Sequence, residues 1–263
     1  MTVASDLLER PSQVSSPLVR FEGVGKTFRN GTKALVGLDV GIGAGEFVSL
    51  LGPSGCGKST ALRLLAGLGR PSSGRIAWSE PPDRHDIGFV FQEPTLMPWA
   101  SVARNVHLPL KLQGLRYRAS MPRVEEALEM VGLEGFAASY PRELSGGMKM
   151  RVSIARALVT QPRILLMDEP FAALDEITRS RLNGDLLHLW TERRFTTVFV
   201  THSVYESVFL SSRILVMAAR PGRIVADLPV DAPFPRDEAF RMSESYNRHC
   251  RAVSAALRRA MEQ

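Results

Sequence analysis

Short apolar runs alternating with helical stretches predict an α/β fold, a mostly parallel sheet with helices on both faces. Three observations carry this reading. Glu46–Leu51 (EFVSLL) is a nearly continuous apolar run followed at once by glycines and then by Lys58–Leu68, where Leu62, Leu65, Ala66 and Leu68 recur at helical spacing. Ile164–Met167 and Thr196–Val200 read as further buried strands, with the helical stretches Thr178–Trp190 and Ser203–Leu210 beside them. Finally, Pro98 to Lys149 has almost no strand signal and reads as a helical insertion within the sheet core.

Taken in order, residues 1–17 are rich in Ser, Pro and acid and read as a mobile N-terminal tail, without the basic start and apolar stretch of a secretory signal. Leu18–Gly23 is strand-like, Asn30-Gly31 signals a turn, and Ala34–Ile42 alternates apolar and small residues, so a β-rich start is expected. Ile87–Phe91 (IGFVF) is a strand candidate, and Pro94 to Pro109 reads as loop with short helical pieces. Pro122–Val131 and Ser145–Val159 read as helices, Arg213–Ala218 as a strand, and Pro221-Gly222 as a turn. Asp237 to Gln263 reads as a charged helix, either a tail or a surface for a partner subunit.

A composition of 44% hydrophobic and 23% charged residues over 263 positions excludes chain-wide disorder. The net charge of +6 suits anionic partners, yet the basic residues are scattered and no nucleic-acid motif is present. Cys56 and Cys250 form no CxxC or zinc spacing and fit a reducing compartment. No apolar run approaches the roughly 20 residues that span a bilayer, so any work at a membrane requires docking on an integral partner.

Gly52-Pro53-Ser54-Gly55-Cys56-Gly57-Lys58-Ser59 matches the phosphate-binding pattern G-x-x-x-x-G-K-[ST]. Glycines let the chain turn tightly, so that successive N–H groups point into one concavity. The start of the following helix, Lys58, Ser59 and Thr60, adds N-terminal N–H groups and the positive end of its dipole. Lys58 supplies a mobile charge for the β- and γ-phosphates, and the Ser59 hydroxyl is placed to ligate Mg²⁺. Chance gives these four fixed positions in about one chain in a hundred of this length. The strand before and the helix after make chance a poor explanation.

Ile164–Glu169 (ILLMDE) ends an apolar run in two carboxylates. Successive strand side chains face opposite ways, which assigns Asp168 to magnesium and Glu169 to polarising the attacking water. A plain strand running into an acidic turn is the competing reading, weakened here by the phosphate loop upstream.

Leu144-Ser145-Gly146-Gly147-Met148 opens a predicted helix, and Ser and Gly at a helix start make a second anion site. About 20 residues before ILLMDEP, this string resembles the signature sequence of ABC (ATP-binding cassette) ATPases. Gln92, after IGFVF, resembles the family's Q-loop glutamine, which touches the metal and senses the transmembrane partner. Ala173-Leu174-Asp175 resembles the D-loop at the dimer interface, and His202 resembles the switch histidine near the γ-phosphate. Phe28 resembles the aromatic that stacks on adenine, against the alternative of a core aromatic. The resemblance covers about Leu18 to Val230.

It implies a P-loop NTPase fold of the ABC cassette type, binding ATP and Mg²⁺. The expected parts are a RecA-like, mostly parallel core, an N-terminal antiparallel β subdomain and an inserted helical subdomain at about 98–150. The cassette then spans 18–230, with a C-terminal helical extension at 231–263. The family works as a head-to-tail dimer, so each ATP lies between one subunit's phosphate loop and the other's Ser145, Gly146 and Gly147. Met148, Lys149-Met150 and Ala173 depart from the commoner family residues and are expected to tune activity, since Ser145 and Gly147 are intact.

FQEPTLMPWASVARNV (Phe91–Val106), DEPFAALDEITR (Asp168–Arg179) and ARPGRI (Ala219–Ile224) resemble the nitrate, sulfonate, taurine and bicarbonate importer branch. That resemblance implies two cassettes, as a homodimer, on two integral permease subunits at the cytoplasmic face of a bacterial inner membrane. An extracytoplasmic solute-binding protein feeds such an importer, and no nucleic acid is involved. Pro98-Trp99 falls where such cassettes receive the permease, unless Trp99 is a core residue. The competing functions are a soluble ABC ATPase of repair or translation and a regulatory module that hydrolyses nothing. The first lacks its usual second cassette or coiled-coil insertion here, and Glu169 and His202 speak against the second.

Overall fold

A computed structural model describes residues 17–83 and 85–262, so the predicted tail, Pro17 apart, lies outside the described residues. The chain opens with an antiparallel pair, β1 (Val19–Thr27) and β2 (Lys33–Ile42). They are joined through the expected Asn30-Gly31 turn, where the Asn30 side chain accepts from the Thr32 amide at 3.1 Å. A third strand, β4 (Ser73–Trp78), pairs with the other edge of β1. Sequence periodicity did not reveal β4, because it is half-exposed along its length and has no apolar alternation.

The main sheet runs in the order β5 (Ile87–Val90), β6 (Ile164–Asp168), β7 (Thr196–Thr201), β3 (Phe47–Leu51), β8 (Arg213–Ala218) and β9 (Arg223–Pro229). The first five are mutually parallel, and β9 closes the edge antiparallel to β8. β9 is the second strand absent from the sequence reading, again an edge strand with a half-exposed pattern. The continuous apolar runs have a direct cause: the sheet is buried on both faces. Phe47, Leu51, Leu165 and Met167 enter one core, and Val48, Leu50, Ile164 and Leu166 the other.

The helices are α1 (Lys58–Leu65), α2 (Val102–Leu112), α3 (Tyr117–Glu129), α4 (Gly146–Leu158), α5 (Glu176–Arg193), α6 (Val204–Leu210), α7 (Glu238–Arg241) and α8 (Glu244–Glu262). α1 stops earlier than its apolar spacing predicts, at a left-handed Gly67, and leaves Leu68 62% exposed. α2 corrects the expectation of a loop with short pieces before Pro109. Ser101 caps it, and Val102, Val106 and Leu110 repeat on one fully buried face. Pro109 sits near its C-terminal end, where the helix continues for only three further residues. α3 likewise begins at Tyr117 and carries Pro122 within it.

The C-terminal segment packs on its own chain. Tyr246, Cys250, Val253, Ala256 and Ala260 of α8 are buried in the core shared with α6 and β8. Among the described residues, no helix is long and apolar enough to cross a membrane.

Candidate active site at the phosphate loop

β3 ends in the middle of the parallel sheet, and the chain passes directly into Gly52–Gly57 and α1. Sites of open α/β sheets lie at these carboxyl ends. Gly57 adopts φ +95°, a conformation open to glycine, and turns the loop into the helix. The first N–H groups of α1 lack helical partners and face a cavity of about 550 Å³.

Ser54, Gly55 and Gly57 of the loop line this cavity, as do Lys58, Ser59 and Thr60 of α1. Phe28, 46% exposed and therefore no core aromatic, stands at one wall, while Gln92 and Glu169 stand at others. Gly52 and Pro53 contribute through their carbonyls, which accept from Lys58 Nζ at 2.8 and 3.0 Å. Cys56 differs from its neighbours. Its side chain is fully buried beneath the loop, and burial holds the thiol above its ordinary pKa despite the nearby Lys58. Its thiol therefore faces the core, not the cavity.

The two carboxylates take separate positions. Asp168 ends β6 and accepts from Ser59 Oγ at 2.7 Å. Burial raises its pKa, opposed by the Ser59 hydrogen bond and the charge of Arg63. Glu169 has already left the strand, with φ +46° and its amide on the Val200 carbonyl at 3.1 Å. This turn, and not the strand pleat assumed from the sequence, separates the pair. Glu169 Oε1 lies 3.7 Å from Lys58 Nζ, and Oε2 lies 3.1 Å from His202 Nδ1 at the end of β7. Lys58 at the start of α1, Glu169 just after β6 and His202 just after β7 are thus drawn together from distant positions in the chain.

A divalent cation of the Mg²⁺ type asks for one or two carboxylates and other oxygen donors beside substrate phosphates. The Ser59 hydroxyl and the Asp168 carboxylate already touch, and Gln92 lines the same cavity, so the donor set fits. Neutralising Asp168 should reveal the cost of this arrangement. We expect Asp168→Asn to raise the melting temperature by about 2 °C while abolishing cation-dependent turnover. A lower melting temperature, measured by calorimetry at neutral pH, would contradict the burial penalty.

Ser145, Gly146, Gly147 and Asp175 lie outside the cavity. Ser145 caps α4, accepting from the Met148 amide at 3.3 Å; Ser145 and Gly146 are exposed and Gly147 is buried. Asp175 is exposed and caps α5, and the Thr178 amide it accepts from holds its carboxyl below the ordinary range. Trp99 is 78% exposed, which rules out the core alternative. The cavity also gathers Thr32, Lys33, Ala34 and Arg220, none of which carried a site role in the sequence reading.

The family model described as ABC transporter matches residues 35–172, over half of the chain and through every element from the phosphate loop to the paired carboxylates. The chain belongs to the ABC transporter family. An uncharacterized ABC transporter ATP-binding protein, MJ0412 of Methanocaldococcus jannaschii, is 45% identical over 225 residues, covering 83% of this chain and 84% of its own. The aliphatic sulfonates import ATP-binding protein SsuB of Bacillus licheniformis is 46% identical over 208 residues, covering 78% and 80%. Among solved structures, the dimeric, post-hydrolysis ATP-binding cassette MJ0796 bound to ADP and Pi superposes with a TM-score of 0.71 at 35% identity, covering 82% of this chain and all of that one. This ABC protein is accordingly an ATP-binding, ATP-hydrolysing cassette with the family's α/β fold.

Proposed function

We propose that this cassette powers an importer for a small organic anion of the sulfonate class, as one of two copies beneath a pair of permease subunits on the cytoplasmic face of the inner membrane. The observation that carries the motor reading is Glu169, held between Lys58 and His202 at the mouth of the phosphate loop. The substrate class rests on the likeness to the aliphatic sulfonates import ATP-binding protein SsuB and on the strings Phe91–Val106 and Ala219–Ile224, which resemble that importer branch. The motor unit is read as 18–230, with 231–263 as its extension.

The loop and the first turn of α1 hold the triphosphate through backbone N–H groups. Lys58 leaves the carbonyls of Gly52 and Pro53 for phosphate oxygens when substrate enters. Glu169 orients a water and takes its proton, while His202 fixes the carboxylate from the other side. Ser59, Asp168 and Gln92 would hold Mg²⁺, which would supply neutralising charge at the phosphates. Phe28 stacks on adenine from its exposed position. Ser145, Gly146 and Gly147 face the partner cassette's nucleotide, and Asp175 lies at the interface between the two. Exposure of Ser145, Gly146 and Asp175 in the single chain supports this, because a second copy would cover them. Exposed Trp99 supports permease docking just beyond Gln92.

Uptake by cells lacking the gene tests the reading. Labelled taurine, an alkanesulfonate, nitrate and a pyrimidine are compared with and without a complementing copy. Sulfonate uptake should fall at least tenfold and return with the wild type but not with Lys58→Ala. Unchanged uptake of all four would remove the importer branch while leaving the ATPase.

A further inference from the structure

The β8–β9 turn brings one unassigned cation to the nucleotide cavity. Gly222 is stitched to β2, its amide donating to the Ala34 carbonyl at 3.0 Å and its carbonyl accepting from the Val36 amide at 2.9 Å. It also packs under the phosphate loop so tightly that a Cβ there would lie 2.1 Å from the Cys56 carbonyl oxygen. The turn is therefore locked to the floor of the site. Two residues earlier, Arg220 is exposed and lines the same cavity as Phe28 and Lys58.

Two features of Arg220 ask for a reason. Its φ of +56° is left-handed, which is strained for a residue with a Cβ and which glycine would adopt freely. Its guanidinium, moreover, makes no hydrogen bond, ion pair or aromatic contact among the described residues. A strained backbone presenting an unpartnered cation to an anion-binding cavity points to a ligand contact. Lys58, Glu169 and Gln92 define the γ-phosphate end, whereas the Arg220 turn is anchored to β2, beside Lys33 and Ala34. The first anionic group of a nucleotide from that side is its α-phosphate.

We propose that Arg220 is a substrate-binding residue whose guanidinium holds the α-phosphate of the nucleotide. The inference rests on the reading of this cavity as the ATP site. It assigns Arg220 to affinity and leaves the chemical step to Glu169.

Calorimetric titration of the full chain with ADP, which avoids turnover, tests it. Arg220→Ala, Arg220→Gly and Arg220→Gln should each raise Kd about tenfold, the loss expected for one charge-assisted contact. Arg220→Lys should recover most of that loss, and kcat at saturating ATP should stay within twofold of wild type in all four. Arg220→Gly, freed of strain, should melt no lower than wild type and so separates lost affinity from misfolding. Unchanged Kd in Arg220→Ala overturns the proposal. Rescue by Gln but not Lys also overturns it, since a planar stacking role would then replace the ionic one. Lys58→Ala, titrated alongside, must lose ADP binding. If it binds ADP as wild type does, the cavity reading itself fails, independently of Arg220.

Discussion

Glu169→Gln should bind ATP slightly more tightly than wild type and turn it over 10²- to 10³-fold more slowly, the contribution of a positioned general base. The amide keeps the shape of the carboxylate but takes no proton from water. It also removes the negative charge that stands 3.7 Å from Lys58 Nζ, so the lysine is freer to serve phosphate. Binding should improve slightly while hydrolysis stalls. In a cassette that closes on ATP as a pair, the stalled state accumulates as dimer. Light scattering should therefore show monomer without nucleotide and dimer with ATP for the variant, and only a transient dimer for wild type. Single-turnover kinetics separate this from a folding defect, because a misfolded chain loses binding along with chemistry. Wild-type turnover in the variant would move the base elsewhere, and His202, 3.1 Å from the same carboxylate, would be the first alternative.

The residues of this site differ in how plainly the sequence announced them. Lys58 and Ser59 belong to a loop whose spelling follows from its own backbone, so the local string was sufficient. Asp168 and Glu169 were readable as a pair, but their separation comes from a left-handed turn at Glu169 and not from strand alternation. Cys56 sits within the motif while its side chain serves the core. Arg220 lay within the string ARPGRI but carried no site signal, because its place depends on the backbone pairing of Gly222 with Ala34, residues nearly two hundred positions apart in sequence. The fold divides similarly. Strands buried on both faces announced themselves as continuous apolar runs, whereas β4 and β9, half-exposed at sheet edges, carried no periodic signal. α2 was obscured by Pro109, although Val102, Val106 and Leu110 hold the helical period.

Arg236→Ala should lower the melting temperature by roughly 10 °C, corresponding to about 3 kcal/mol in a domain of this size. Arg236 is only 4% exposed, and its guanidinium donates to five carbonyls. Those of Val208, Phe209 and Ser211 end α6, where unpaired carbonyls and the negative end of the helix dipole await a cation. Those of Val230 and Ala232 belong to the segment leading into α7. Phe234 stacks 4.0 Å from the same group, so the arginine is held by both polar and aromatic surfaces. Burial pushes its pKa down to about 10, still well above neutrality, so the group stays charged and the loss should be flat between pH 6 and 8. Arg236→Lys should recover little, because a single ammonium offers three donors and cannot span two carbonyl groups on separate segments. The consequence reaches the site through α6, which begins two residues after His202. Loosening its far end should therefore lower kcat before the cassette unfolds, measurable as a turnover defect at temperatures where far-UV circular dichroism is unchanged. A variant with wild-type melting and wild-type kcat would reduce the residues after 230 to an appendage of the motor, not part of the frame that holds His202.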